Sequence, residues 1–332
     1  MAFVPMFGTG FEIQGAVFNG SYVEGTPVVS STQKKSGNYS LFVGDYDTWN
    51  FYLPSNQSEL YLGIWQYISS RVHDGAIQFI LTDGKVIELR QYPNPYLYGI
   101  YVDNSLVASY TALKSSTNLW ENLQFHIKVA DTGGVIQMKL DGNLVIDYTG
   151  DTKPGTGTEI TRIRINHNVN GDKYQAYYDD LIIGTGDWSG DYRFEALNPV
   201  ADTAQKDFTP STGTDNYACI DEVPAATADY VYTSTNGAKD LYELSDFNPV
   251  LGINTKIPKF LIQWLYGKKD PANAQQIKMV QKLGTTEYQS SAKDLLTTET
   301  YFYDVRTTDP DGNPWTDTNI DNLLVGQVAV IP

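Results

Sequence analysis

Hydrophobic and polar residues alternate along much of the chain, and the alternating runs end in turn dipeptides. The clearest case is residues 123–150, where Leu123, Phe125 and Ile127 fall on one face and polar residues on the other. Asp141-Gly142 then predicts a tight hairpin turn. A period of two is typical of half-buried strands, so this stretch predicts an antiparallel meander.

The same pattern recurs upstream, with Asp83-Gly84 and Asp103-Asn104 as turn pairs. Strands with one solvent-exposed face and regularly spaced turns favour a sandwich or barrel over a parallel sheet. We therefore predict an all-β protein with little helix.

A glycine-rich stretch, "GTGDWSGDY" at residues 184–192, predicts a domain boundary. The chain then divides into a first domain at 1–187 and a smaller β-rich second domain at 188–332, which we interpret as an assembly or docking domain. Three prolines early in the second domain exclude long helices there.

Three further elements are predicted in the second domain. A strand places Phe260, Ile262, Trp264 and Tyr266 on one face. Residues 273–284 fit either a helix or a strand, and we favour the strand. The single helix expected lies near residues 317–324, capped by Thr316 or Asp317.

Charge and cysteine content limit the function classes. The formal net charge of -16 repels nucleic acid and anionic membranes over most of the surface. A single cysteine, Cys219, excludes an intrachain disulfide and is expected as a packed apolar group. No signal-like leader and no apolar run of about 20 residues is seen, so we expect synthesis in a cytoplasm.

Asp179 and Asp180 stand side by side in the strand "AYYDDLIIG". Neighbouring strand residues point to opposite faces, so we expect the two carboxylates to diverge and not to form a catalytic pair. Our preferred interpretation is structural, with one buried carboxylate accepting loop amides. Calcium held by one Asp and loop carbonyls is the alternative, and no other cofactor is expected.

No other chemistry is indicated by residue spacing. His73, His126 and His167 lack zinc-ligand spacing, and no glycine-rich phosphate loop follows a strand into a helix. The prediction from the residues is a protein without a catalytic or metal site, and hence not an enzyme.

Aromatic residues are the one functional signal. A ring platform for a glycan or a protein partner is predicted from six residues, although core packing is the competing explanation for many of them. They are Trp65, Tyr67, Tyr92, Tyr96, Tyr98 and Tyr101.

A resemblance rests on four segments: "FGTGFE", "LWENLQFHIKV", "GVIQMKLDGNLVIDYTGD" and "YYDDLIIG". Together they resemble the concanavalin A-like, or laminin-G-like, jelly roll. Followed by "STGTDNYACIDEVP", "ADYVYTSTNGAKDLYEL" and "DPDGNPWTDTNIDNLLVGQ", the order of motifs is similar to tailed-bacteriophage virion structural proteins.

This resemblance implies a non-enzymatic virion component, on the head surface as capsid decoration or in the tail. Its partners would be other virion proteins and further copies of itself, as a homo-oligomer or repeated subunit. A lectin-like, carbohydrate-binding module for host attachment is the alternative, and a polysaccharide-degrading enzyme is a third class.

Overall fold

The computed structural model describes residues 2–12, 23–24, 28–44, 47–71, 75–93, 96–111, 118–166, 174–223, 225–247, 258–271 and 275–331. The chain divides into two compact units, Met1–Phe194 and Glu195–Pro332. Both are built from strands, as the alternating pattern predicts, and the all-β fold class is confirmed. Among the described residues, no helix has the length and apolar character that a membrane crossing needs.

The described residues of the first unit form fifteen strands. They are β1 (Val4–Thr9), β2 (Val23–Glu24), β3 (Val28–Ser30), β4 (Ser40–Val43), β5 (Thr48–Gln57), β6 (Glu59–Arg71), β7 (Gly75–Leu81), β8 (Val86–Pro93), β9 (Tyr96–Val102), β10 (Ser105–Thr111), β11 (Trp120–Lys128), β12 (Gly134–Leu140), β13 (Asn143–Gly150), β14 (Ile160–Asn166) and β15 (Tyr174–Thr185).

These strands form two antiparallel sheets packed face to face. Sheet A has eight strands in the order β13-β12-β11-β6-β15-β4-β3, with β1 also pairing β15. Sheet B has seven, in the order β10-β9-β8-β7-β14-β5-β2. The predicted hairpins β7–β8, β9–β10, β11–β12 and β12–β13 are confirmed.

The core of this unit lies between the two sheets. Phe125 of sheet A meets Phe79 of sheet B edge-on, with ring centroids 5.6 Å apart, and both rings are buried. Burying such a side chain contributes about 1.5–3 kcal/mol. Gln66 and Gln91 cross the same layer, each amide donating to the other at 3.1 and 3.0 Å, so this buried polar pair is satisfied.

Strand β15 has two partners along one edge. β4 pairs its first part through Ala176–Tyr178, and β1 pairs its last part through Leu181–Thr185. The residues between these two ladders are Asp179 and Asp180. The edge partner of β15 therefore changes from β4 to β1 at Asp179 and Asp180.

In the second unit, the part of the chain that the structure describes forms ten strands, a 3-10 turn at Tyr217–Cys219 and one short helix. They are β16 (Pro199–Lys206), β17 (Thr209–Pro210), β18 (Val231–Tyr232), β19 (Lys239–Leu244), β20 (Leu261–Gly267), β21 (Gln276–Leu283), β22 (Thr286–Gln289), β23 (Lys293–Asp294), β24 (Thr300–Arg306), β25 (Leu323–Val330) and helix α1 (Asp317–Asp321).

Sheet C of this unit has six strands in the order β16-β19-β25-β21-β22, with β23 beside β21. Asp240 is fully buried in β19 and accepts hydrogen bonds from the amides of Asp207 and Phe208, which fix the turn after β16. Cys219 is buried and donates to the carbonyl of Thr212. The unit is thus held by amide-capping carboxylates as well as by apolar packing.

Two element predictions in this unit are confirmed, and one helix is shorter than expected. β21 is a strand, and Trp264 and Tyr266 share a face of β20, although Phe260 precedes that strand. Helix α1 is capped by the Thr316 side chain, as predicted, but it ends at Asp321. It stops there because the chain enters β25, which pairs with β21 along its whole length.

Candidate functional site

Three of the six predicted platform residues lie on the outward face of sheet A or in the core. Trp65 and Tyr67 lie on the outward face of sheet A, opposite Asn122 and Trp120 of β11. Tyr98 points into the core, is 0% exposed, and donates its hydroxyl to Glu121.

The other three belong to β8 and β9 of sheet B. Tyr92 and Tyr101 lie on its outward face with their hydroxyl oxygens 2.8 Å apart. Tyr96 begins β9, and its side chain lies outside the described part of the structure. The structure therefore spreads the predicted platform over two opposite faces and the core.

The acid pair converges, contrary to the prediction that the two carboxylates diverge. β15 carries a β-bulge between Asp179 and Ile182, and Asp180 adopts a left-handed φ of 47°. An extra residue in the strand breaks the alternation of side chains, so both carboxylates turn to the same loop. The bulge follows from the exchange of β4 for β1 at this point.

Both carboxylates bind Ser36, and Asp179 also binds Lys35. Asp179 Oδ2 accepts from the backbone amides of Lys35 at 2.7 Å and Ser36 at 3.1 Å, while Asp180 Oδ1 accepts from the Ser36 hydroxyl at 2.6 Å. Glu12 adds a third carboxylate, which accepts from the amide of Asn38. We call Glu12, Asp179 and Asp180 the acid cluster.

Burial governs the electrostatics of this cluster. Asp179 and Asp180 are 0% exposed, and burial raises the pKa of each, with the charge of Asp180 raising the pKa of Asp179 further. Hydrogen bonds from Ser36 and Phe194 act in the opposite direction on Asp180. The cluster thus anchors a loop with groups that resist full ionisation.

Calcium held by one Asp and loop carbonyls is the alternative interpretation of the acid pair. Within the described ranges, no three His, Cys, Asp or Glu side chains are arranged to hold an ion. Two of the three histidines considered for zinc, His73 and His167, lie outside those ranges, and His126 bonds Glu59 and Gln137.

Residues 186–194, which we call the strap, lie on the outward face of sheet A. The Tyr192 hydroxyl donates to the backbone carbonyl of Asp180 at 2.6 Å. The backbone amide of Phe194 donates to the carboxylate of Asp180 at 2.8 Å. An added Cβ on Gly63 would lie 2.7 Å from the Tyr192 hydroxyl, so the strap rests directly on the sheet. The predicted domain boundary at residues 187–188 lies within this stretch, whose aromatic residues pack on the first unit.

The strap and the loop that contains Lys35 also cover the ring of Trp65, one of the predicted platform residues. Lys35 Nζ lies 3.9 Å and Arg193 Cζ 4.2 Å from the centroid of its ring, and the side chain is 7% exposed. Both cationic groups therefore make cation–π contacts with this ring. Trp65 is therefore a packing residue of the strap face.

The outward face of sheet B carries a different arrangement, which the sequence analysis missed. Five side chains from five adjacent strands stand opposite one another across the sheet, and we call them the polar row. They are Asn50 of β5, Arg164 of β14, Gln78 of β7, Glu88 of β8 and Tyr101 of β9.

Hydrogen bonds run along the polar row. Arg164 Nε donates to Asn50 Oδ1 at 2.9 Å and its Nη1 to Gln78 Oε1 at 3.4 Å, and Gln78 Nε2 donates to Glu88 Oε1 at 3.1 Å. Arg90, two residues from Glu88 on the same face, donates to Glu88 Oε2 through Nε and Nη2 at 3.0 and 2.9 Å. The row is a connected array of amide, guanidinium, carboxylate and phenol groups.

The end of the polar row depends on a glycine. Gly99 pairs with Arg90, and a Cβ there would lie 2.9 Å from the Tyr101 ring. Its absence allows Tyr101 to lie along the sheet, 4.2 Å below the Arg90 guanidinium. Arg164, Gln78 and Tyr101 stay partly exposed, so the row can bind a ligand through several donors and acceptors at once.

A signal for the row was present in the sequence. In "RIRIN" the outward positions of a predicted strand are Arg162 and Arg164, and "IELRQY" places Glu88 and Arg90 in the same way. Strand order decides which of these polar positions become neighbours, and the sequence pattern does not supply that order.

Comparisons with known proteins bear on the fold. No protein-family model and no curated protein sequence matches the chain. Among solved structures, it is similar to an endo-β-1,4-glucuronan lyase from Trichoderma reesei, with 14% identity, a TM-score of 0.43, and coverage of 55% of this chain and 96% of that one.

Two further structures have comparable similarity. One is a galectin-like protein from Bacillus subtilis, at 11% identity and a TM-score of 0.40, covering 55% of this chain and 98% of that one. The other is a carbohydrate esterase from a Shiga toxin-encoding bacteriophage, at 11% identity and a TM-score of 0.40, covering 56% and 100%. The shared feature is a jelly-roll-type sandwich.

The prediction that the chain is not an enzyme is wrong. The solved structures to which the chain is similar include a lyase and an esterase. The supporting argument from diverging carboxylates also fails, because Asp179 and Asp180 converge on Ser36.

Proposed function

We propose that the first unit binds polysaccharide on the outward face of sheet B. The observation that carries this proposal is the polar row, a line of bonded polar side chains that runs across five strands. Amide and guanidinium groups that are already oriented lose little rotamer freedom when they bind a ligand, which favours recognition of hydroxyl-rich surfaces.

Aromatic residues at the margins of the row support a glycan as ligand. Tyr52 is exposed at one end and contacts Arg162, while Tyr92 and Tyr101 share a hydrogen bond at the other end. Amphipathic rings beside hydrogen-bonding groups suit sugars, which present both apolar faces and hydroxyl edges. Two of these tyrosines come from the predicted aromatic platform.

The experiment is a titration of soluble polysaccharides, followed by calorimetry or affinity electrophoresis, on two matched variants. Gln78→Ala removes the centre of the polar row, and Gln137→Ala removes an amide that bonds His126 on the outward face of sheet A. We expect Gln78→Ala alone to weaken binding, by about fivefold to tenfold for a hydrogen-bonding group. Equal effects, or no binding by the unaltered protein to any polysaccharide tested, would contradict the proposal.

We further propose that the chain is a structural component of a tailed-bacteriophage particle and uses this face at the host surface. The proposal rests on the ordered sequence motifs that resemble virion proteins. The second unit, with its many short strands, would then make the contacts with other virion proteins. Mass spectrometry of purified particles tests this placement, and absence of the chain from them would overturn it.

Strand β10 supports the proposal of repeated copies. It is an edge of sheet B, and its seven residues, Ser105–Thr111, carry no charge although the chain has a net charge of -16. An uncharged edge strand presents backbone groups that can pair with a second copy, since like charges do not keep the copies apart there. Sedimentation of Ser109→Lys tests this, and an unchanged oligomeric state would count against pairing through β10.

A further inference from the structure

We infer that the outward face of sheet A carries a contact surface for a second copy of this chain. The surface is a row of aromatic rings that crosses the sheet beside Trp65. It is separate from the polysaccharide face proposed on sheet B. It also adds a second contact to the pairing of copies proposed for β10, so the experiment below tests the two contacts one at a time.

Four rings stand opposite one another on four adjacent strands of sheet A, and we call them the aromatic row. They are Phe42 of β4, Tyr177 of β15, Tyr67 of β6 and Trp120 of β11. The residues before and after Phe42 and Tyr177 are buried, so the row points away from the core. Val28 of the edge strand β3 stands opposite Phe42 and extends the row to a fifth strand. With strands about 4.8 Å apart, the whole line spans about 19 Å.

The aromatic row remains partly open to solvent. All four rings are partly exposed, and Val28 is 49% exposed. Polar residues stand beside the row on the same face, where the Ser69 hydroxyl donates to the carbonyl of Gln175 at 3.0 Å. A cluster of tyrosine, tryptophan and phenylalanine with a polar margin is typical of the centre of a protein interface.

The orientations of the rings favour a protein over a glycan as the partner. Adjacent rings are tilted by 44° between Phe42 and Tyr177, by 73° between Tyr177 and Tyr67, and by 51° between Tyr67 and Trp120. A sugar chain stacks on rings that share one plane, whereas this row presents ring edges as well as ring faces. Edge-to-face contact is a preferred geometry for aromatic pairs, so a second aromatic row is complementary to the first.

The charge of the chain favours a second copy over a basic partner. Two copies with a net charge of -16 each repel one another over most of their surfaces. The rings of the aromatic row add no charge to this repulsion, so two acidic copies can meet there. A basic partner would gain more from the many carboxylates elsewhere on the chain. Two identical faces that meet are related by a two-fold axis, so this contact closes at a dimer.

The experiment is analytical ultracentrifugation of Ser109→Lys, which blocks pairing through β10, from micromolar to millimolar concentrations. We expect a monomer–dimer equilibrium. The dimer should strengthen as the ionic strength rises from about 0.01 M to about 0.15 M, because the Debye length falls from about 30 Å to about 8 Å and the repulsion between the copies is screened.

The test variant is Tyr177→Glu in the Ser109→Lys background. It places a carboxylate in the middle of the aromatic row, where it would face the same carboxylate and the rings of the second copy. We expect the dimer to weaken at least about tenfold, because like charges and unpaired charges are costly inside an interface.

The matched control is Val200→Glu in the same background. Val200 is an apolar residue of the second unit, 47% exposed on the edge strand β16, so the change adds the same charge and should leave the dimer intact. If Tyr177→Glu does not fold, as judged by circular dichroism, Val28→Glu replaces it. The fold should tolerate a charge at this exposed position, and we expect the dimer to weaken about threefold or more.

Four outcomes would overturn the inference. A monomer at every concentration would do so and would leave both β10 pairing and polysaccharide binding intact. Equal effects of Tyr177→Glu and Val200→Glu would place the contact elsewhere. A dimer that weakens as salt rises would indicate a contact between opposite charges. An unchanged dimer with lost polysaccharide affinity in Tyr177→Glu would assign the aromatic row to a glycan.

Discussion

The two outward faces of the sandwich differ in what occupies them. On sheet A, the strap and the acid cluster fill the surface around Trp65, which is enclosed by Lys35 and Arg193. On sheet B, the polar row is held by side-chain hydrogen bonds, and three of its five side chains stay partly exposed. Similar alternating strands thus produce one face that serves the fold and one that can serve a ligand.

The charges on the two faces teach the same lesson. Sheet A uses carboxylates that accept backbone amides of a loop, which makes them part of the architecture. On sheet B, Arg162 donates to the Tyr52 hydroxyl and Arg164 donates to the amide oxygen of Asn50, so these charged groups bond other side chains of the same sheet. The number of charged groups on a face is less informative than the partners that already hold them.

The largest effect is expected from the acid cluster. Asp179→Ala leaves the amides of Lys35, Ser36 and Asp180 without their acceptor, and buried donors without partners are costly. We expect a loss of about 3–5 kcal/mol in the free energy of unfolding, measured by denaturant titration. Asp131→Ala, on an exposed turn, is the control and should change stability by less than about 0.5 kcal/mol.

If Asp179→Ala were as stable as the unaltered protein, the acid cluster would not anchor the strap face. In that case, the outward face of sheet A would not have the structural role that distinguishes it from the outward face of sheet B.

A pair of glycines tests the two faces against each other. Gly63→Ala places a Cβ 2.7 Å from the Tyr192 hydroxyl, which is too close for an unstrained contact with the strap. Gly99→Ala places a Cβ 2.9 Å from the Tyr101 ring. We expect Gly63→Ala to cost about 1–3 kcal/mol of stability with unchanged polysaccharide affinity. Gly99→Ala should weaken binding more than it weakens the fold.

Thermal unfolding and calorimetric titration of both glycine variants provide the measurements. A reversed pattern, with binding lost in Gly63→Ala and retained in Gly99→Ala, would place the ligand on sheet A.

A smaller effect is expected from single hydroxyl groups. Tyr101→Phe removes the hydrogen bond to Tyr92 at the end of the polar row, and Tyr67→Phe removes the bond to Asn118 on the other face. We expect Tyr101→Phe to lower polysaccharide affinity by about threefold to tenfold, because one neutral hydrogen bond contributes about 1 kcal/mol. Tyr67→Phe should bind like the unaltered protein.

The smallest effect is the dependence of stability on pH. In the unfolded chain, Asp179 and Asp180 ionise near pH 4, whereas burial raises the pKa of both in the folded state. The folded state therefore holds more protons above pH 4, so this contribution to stability is complete below that pH and falls as the pH rises through the folded values.

Asp180→Asn removes one of the two titrating groups and keeps an oxygen for Ser36 and Phe194. Its unfolding free energy should vary less between pH 4 and 8 than that of the unaltered protein. An identical pH profile would show that Asp180 does not take part in this titration.

Much of the fold follows from local sequence. The alternation of Leu123, Phe125 and Ile127 and the Asp141-Gly142 turn predict β11, β12 and β13, because a strand's two faces and a tight hairpin are properties of a few consecutive residues. Helix α1 is predicted from its Thr316 cap for the same reason, although the pairing of β25 with β21 sets where it ends.

The site could be predicted only in fragments. The bulge at Asp180 arises because β4 and β1, far apart in sequence, share one edge of β15. Asn50, Gln78 and Arg164 become neighbours through the strand order of sheet B, and each is an ordinary outward residue of its own strand. Long-range pairing, which local alternation does not encode, assembles both the acid cluster and the polar row.

The pairing of β1 with β15 has a practical consequence for engineering. The first and last strands of this unit are neighbours in one sheet, about 4.8 Å apart, so its entry and exit points nearly coincide. A domain whose two ends lie close together can be inserted into a surface loop of another protein without moving the two ends of that loop far apart. The sandwich is thus suited to transplantation as a single module.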